Sequence, residues 1–237
     1  MNQSENPYAS VHPMFAADAA SDERASFILR TYYHLAGAIG AFVLIEAILL
    51  SLPITPSLVE SVLGARYGWL IMLGAFMAVS WIADSWARSS TSLATQYMGL
   101  SLYVVAEAII FVPLLFLAQQ FHPGIIGTAA TATLGLFAVL TAIVFITRKD
   151  FSFLRSVLMF GGIAAFGLIG CAIFFNFALG PIFTYAMIAF ACAYILYSTS
   201  NVMLHYRTDQ YVAASLALFA AVALLFWYIV QLFMSRD

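Results

Sequence analysis

Three carboxylates stand where a carboxylate is expensive. Glu107 sits in Val104-Val105-Ala106-Glu107-Ala108-Ile109-Ile110-Phe111, Glu46 in the apolar run that ends at Leu52, and Asp84 four residues before Arg88. An ionised side chain at bilayer depth costs about 2.5–3.5 kcal/mol on insertion scales, so each such residue is either paired or has a task. Asp84 carries its pair in the sequence, because a spacing of four brings Arg88 round one helical turn. Glu46 reads equally as a hydrogen-bonding clamp between helices and as a working group. Glu107 has no basic residue in its own run, which makes it the first candidate for a proton-responsive group on an ion path. Carboxylates from two adjacent helices also offer hard oxygen ligands to calcium, which takes roughly six to eight oxygens in all. Other chemistries find no purchase. There is no Gly-x-Ser-x-Gly, phosphate loop or His-Glu-x-x-His, and His122 and His205 lack metal-site spacing, so no catalytic residue, metal site or resident cofactor is assigned and no enzyme is expected.

The elements that hold these groups follow from composition. Of 237 residues 64% are hydrophobic and 8% charged, and the net charge is −2. A soluble domain carries about a quarter charged residues, so the chain is a membrane protein with the lipid bilayer as its first partner. Without a basic tract, nucleic acid is excluded. Apolar runs of about 20 residues match helices that cross a bilayer and exceed the roughly 10-residue alternating strands of a barrel, so the fold class is all-α and polytopic. Seven spans are expected, near 31–52, 68–87, 94–118, 125–147, 156–177, 181–202 and 211–233. Pro53 and Pro56 end the first, Pro113 is placed to kink the third, and 54–67 reads as a short loop with one helical turn. Residues 1–20, with Pro7 and Pro13 and no apolar core, are expected as a disordered cytoplasmic tail ahead of a seven-helix domain at residues 21–237. Alternate joints carry Arg24, Arg30, Arg88, Arg148, Lys149, Arg155 and Arg207 on the N-terminal side against Arg66 and Arg236 on the other, which places the N-terminus in the cytoplasm. A compact chain without organelle signals fits a bacterial inner membrane.

The sixth span ends in Tyr197-Ser198-Thr199-Ser200-Asn201, five hydrogen-bonding side chains within little more than a turn, which must meet water, other helices or a polar cavity. Leu140-Thr141-Ala142, Phe145 and Thr147-Arg148-Lys149-Asp150-Phe151-Ser152-Phe153-Leu154 closely resemble the fourth span and following loop of the Bax inhibitor-1-like, or transmembrane BAX inhibitor motif, family. Tyr194-Ile195-Leu196-Tyr197, Thr199, Asp209-Gln210-Tyr211, Ala213-Ala214 and Tyr228-Ile229-Val230-Gln231-Leu232 resemble its last two spans. The resemblance implies six helices around a hydrophobic central one and a pH-sensitive calcium leak, with transient Ca2+ as the ion. It also implies, for the bacterial YccA-like branch, a second reading as a non-conducting modulator of a membrane-bound quality-control protease. In calcium-leaking members a pair of aspartates in the last two spans gates the pore. The matching positions here are Ser198 and Ala221, so any proton-responsive role falls to Glu107, Glu46 or Asp84.

Overall fold

A computed structural model of the chain describes residues 14–89 and 92–235. Those residues form eight helices: α1 Ser21–Ser51, α2 Thr55–Gly64, α3 Gly68–Ala87, α4 Leu93–Phe121, α5 Ile125–Thr147, α6 Leu154–Phe175, α7 Gly180–Leu204 and α8 Tyr211–Met234. Seven of them, all but α2, are long and apolar enough to cross a membrane. Helices are what such runs must form, since in lipid the backbone N–H and C=O groups find partners only within their own segment. The chain crosses back and forth, so the start of α1, the α3–α4 and α5–α6 joints and the α7–α8 loop share one end, the charged end. The α1–α3 connection, the α4–α5 turn and the α6–α7 turn share the other.

Local sequence sets the boundaries. Gly124 at φ 89° and Gly180 at φ 66° take the left-handed conformations that turn the chain into α5 and α7. Pro56 sits in the first turn of α2, where its missing N–H costs no helical hydrogen bond. The expected single turn in the 54–67 joint is therefore a ten-residue helix, held down by buried Thr55 and Val59. α4 runs unbroken through Pro113, whose ring is buried. The expected tail is different from the sequence reading over its last seven residues. Residues 1–13 lie outside the described residues, but Met14 to Ala20 form a strap: the Ala16 N–H donates to the Tyr206 carbonyl at 2.8 Å and the Thr208 N–H to the Met14 carbonyl at 3.1 Å. Ala16 is fully buried there.

α8 is the central helix. It packs against α1, α3, α4, α5 and α7, while α6 leans on α7. Its small residues Ala213, Ala214, Ala217, Ala221 and Ala223 are all buried, and small side chains are what allow helix backbones to approach closely without help from water. Around it, Phe111 of α4 meets Phe42 edge-on at 5.1 Å, stacks on Phe226 at 5.7 Å and meets Trp227 edge-on at 4.9 Å. The tightest crossing joins α3 to α4, where Gly99 lies against the Ala83 carbonyl and the Ala87 N–H.

Candidate functional site

A cavity of about 770 Å³ is walled by α3, α4, α6, α7 and α8 in the half of the bundle away from the charged end. Its walls are apolar and aromatic, and Glu107 is the carboxylate on them. Glu107 is 6% exposed, and its Oε2 has no hydrogen-bond partner among the described residues. One turn earlier on α4 the Tyr103 hydroxyl faces this carboxyl. Tyr103 is in turn within electrostatic reach of Tyr194 on α7 and of Asp84 on α3.

Tyr194 opens onto a second cavity, of about 450 Å³, at the charged end. Arg88, Arg155, Tyr197, Ser198, Asn201 and His205 line it too, so this is where the polar end of α7 finds its surroundings. From the large cavity to the polar one the sequence of groups is thus Glu107, Tyr103, Tyr194, then Arg88 with Asp84 and Tyr206. Asp84 is not free: the Arg88 Nε donates to its Oδ1 at 2.9 Å and to its Oδ2 at 2.8 Å, with both side chains well exposed. The Arg88 guanidinium lies 5.9 Å from the centre of the Tyr206 ring. Burial pushes the Tyr206 phenol above its ordinary range, and nearby Arg88 works in the opposite sense.

The charged joint that carries the family signature is tied to this cavity. Phe151 donates its N–H to the Ser200 hydroxyl at 3.0 Å, and His205 Nε2 pairs with Asp150 Oδ2 at 3.0 Å. A backbone N–H from Ser152, 2.8 Å from Oδ1, holds the Asp150 carboxyl below the usual carboxylate range, with His205 adding to it. The α5–α6 joint and the end of α7 are therefore one assembly.

Glu46 is placed elsewhere. It is 4% exposed on α1, neither carboxylate oxygen has a hydrogen-bond partner among the described residues, and it does not line the cavity that holds Glu107. The two glutamates are not brought onto one cavity. Of the two positions that match the family's aspartate pair, Ser198 lines the polar cavity, its hydroxyl without a hydrogen-bond partner among the described residues. Ala221 is fully buried in the centre of α8 and does not line that cavity. Among the described residues no three His, Cys, Asp or Glu side chains gather as a metal-ligand group. Sequence reasoning passed over Tyr103 and Tyr206. The spacing of four between Tyr103 and Glu107 was the available signal for the first; for the second, whose neighbours come from α3 and the strap, there was none.

Comparison with known proteins bears on the whole span of these elements. A protein of Pseudomonas aeruginosa, carrying the name uncharacterized protein PA2604, is 28% identical over 159 residues, covering 67% of this chain and 68% of its own. The family model described as inhibitor of apoptosis-promoting Bax1 matches residues 24–237, from the first turn of α1 through α8. This chain, a multi-pass membrane protein, belongs to that Bax inhibitor family.

Proposed function

We propose that the protein is a cation leak of the Bax inhibitor type, with calcium as the transported ion and Glu107 as the proton-responsive carboxylate in place of the family's aspartate pair. The observation that carries this reading is the position of Glu107, a buried carboxylate with one oxygen unpartnered, between a large cavity on one side and Tyr103 and Tyr194 on the other. A charge buried without a partner is costly, so the folded protein keeps Glu107 at that cost or supplies a counter-ion. A passing cation is such a counter-ion. Tyr103 and Tyr194 supply hydroxyl oxygens toward the polar cavity, where Ser198 and Asn201 continue the polar surface. Among the described residues no three His, Cys, Asp or Glu side chains gather, so calcium on this reading is cargo in transit and not an ion held by a carboxylate cluster.

The test is calcium flux into proteoliposomes at about pH 6, 7 and 8, the range in which a tuned carboxylate changes charge. Glu107→Gln is expected to abolish the pH dependence and most of the flux, and Tyr194→Phe to lower the flux while keeping its pH dependence. Flux that is the same in Glu107→Gln and the parent refutes the assignment. Asp84→Asn serves as a control for the anchoring pair, and Glu46→Gln, off this cavity, is expected to leave flux unchanged.

The loss of both aspartates favours a second reading, a non-conducting modulator of a membrane-bound quality-control protease. Ser198 and Ala221 give the last two spans no carboxylate with which to gate a pore. On that reading there is no flux at any pH, and the protein co-purifies with a protease. Because Met14 to Ala20 are docked, the cut that tests the tail removes residues 1–13. We place the charged end, and with it the N-terminus, in the cytoplasm of a bacterial inner membrane; its seven Lys and Arg against two support this, and reporter fusions to each terminus test it.

A further inference from the structure

We infer that the 770 Å³ cavity is a binding site for a lipophilic organic cation, an amphiphilic amine or quaternary ammonium, with Glu107 as its counter-charge. Small-molecule sites have volumes of about 300–1,000 Å³, apolar walls and a few polar groups that fix orientation, and this cavity has that composition. Three observations select the charge type. Glu107 is more than nine-tenths buried with Oε2 unpartnered, and among the cavity's lining residues there is no Lys, Arg or His to neutralise it. The wall beside it is aromatic: Trp69 stacks on Trp227 at 5.6 Å and Phe111 meets Trp227 edge-on at 4.9 Å. Aromatic faces attract cations, most strongly when the cation is poorly hydrated and the site is dry. A hard inorganic cation at rest needs several oxygen ligands, and Glu107 is the one carboxylate among the cavity's lining residues, whereas an organic cation carries its own apolar shell and needs one counter-charge.

The route in is lateral. α3 and α6 both wall the cavity yet make no broad contact with each other, and Tyr67 meets Phe174 at 5.9 Å at the far end of that seam. A ligand already dissolved in the bilayer can therefore reach the cavity from the hydrocarbon side. On α6 the wall is shaped by Gly161 and Gly162 lying under Phe190: a Cβ at Gly162 makes an ordinary 3.7 Å contact with the Phe190 ring, and the atoms of a larger side chain there would take up cavity space.

Binding does not require that the protein conduct, so it is tested apart from flux. The probes are tetraphenylphosphonium and tetraphenylborate, equal in shape and opposite in charge, added to the purified full chain in nanodiscs of neutral phospholipid, with empty nanodiscs subtracted. Saturable binding of the phosphonium and none of the borate is expected. Glu107→Gln is expected to weaken it by about tenfold or more, the scale of losing one partner of a desolvated charge pair. Glu107→Asp should retain part of the binding, and Gly162→Leu, which leaves the carboxylate in place, should weaken it by filling space. Absence of saturable phosphonium binding overturns the proposal, as does equal binding by the parent and Glu107→Gln. Borate binding as tight as that of the phosphonium overturns the charge assignment and the proposal with it. A protein that binds the phosphonium but passes no calcium leaves the site standing and removes the leak.

Discussion

Gly99→Ala is the sharpest test of how the site is held. A Cβ built at Gly99 falls 2.5 Å from the Ala83 carbonyl oxygen, 2.5 Å from the Ala87 nitrogen and 3.0 Å from the Trp86 Cβ. Ordinary contact begins at 3.4 Å, and the two nearest atoms are backbone, which cannot swing aside as a side chain can. α3 and α4 must therefore separate by about 1 Å along their closest crossing, an overpacking cost near the upper end of the usual range, about 3 kcal/mol. Replacing a helical glycine returns about 1 kcal/mol of propensity, so the net loss is about 2 kcal/mol. Gly135→Ala on α5 makes the same chemical change with nothing within 4 Å of the new atom, and should be neutral or gain up to about 1 kcal/mol. The pair is measured by unfolding free energy in one detergent. Gly99, Tyr103 and Glu107 follow one another at four-residue spacing on α4, and the crossing lies beside Asp84 and Arg88, so the same substitution should lower calcium flux more than its stability loss explains. If the two alanine variants differ by less than about 0.5 kcal/mol, the α3–α4 crossing is not as close as described and the positioning argument fails.

Other outcomes follow from single contacts. Glu46→Leu should stabilise the protein by about 1–3 kcal/mol, because both oxygens are buried without a partner; a loss of stability in the same unfolding assay would show that Glu46 clamps another group. Asp150→Asn bears on acid sensitivity. The Asp150 carboxyl is held below its ordinary range, so its stabilisation is present above the unfolded carboxylate pKa of about 3.9 and is lost as pH falls below it. The pair with His205 is half exposed and worth less than about 1 kcal/mol, so the melting temperature of the parent should fall slightly more than that of the variant between about pH 5 and 3. Thr208→Ala removes the 2.7 Å hydrogen bond from the Thr208 hydroxyl to Glu23 but leaves the backbone bonds of the strap. It should cost about 1 kcal/mol and speed hydrogen exchange at the Ala16 N–H, and unchanged exchange there would mean the backbone bonds alone hold the strap.

What could be read from the chain depended on whether the signal was local. The seven spanning helices were legible because a 20-residue apolar run leaves the backbone a single solution in lipid, and turn residues such as Gly124 and Gly180 mark their starts. α2 was not, since Pro56 in a short run reads as a loop until it is seen to occupy a helix start. The strap was illegible for a different reason: it is held by backbone atoms of Tyr206 and Thr208, and backbone pairing between segments so far apart in the chain leaves no pattern in side chains. Glu107 stood out as one charge among apolar neighbours, but its cavity is a space left between five helices, and a space has no sequence of its own.

The missing aspartates and the position of Glu107 belong to one argument about α8. A fully buried position on a central, close-packed helix takes a polar group only where a partner is built opposite it. Here the matching position on α7 is Ser198, and α8 carries buried alanines, Ala221 among them, that let its neighbours come close. An aspartate at Ala221 in this packing would be a buried, unpaired charge between close-packed helices. α4 also packs on five helices, α1, α2, α3, α5 and α8, but Glu107 lies on the wall of a cavity, so a carboxylate there has space beside it that the fully buried Ala221 position lacks. Close packing around Ala221 and the open wall beside Glu107 are two sides of one arrangement, and a chain with an aspartate at Ala221 would have to open α8 to hold it.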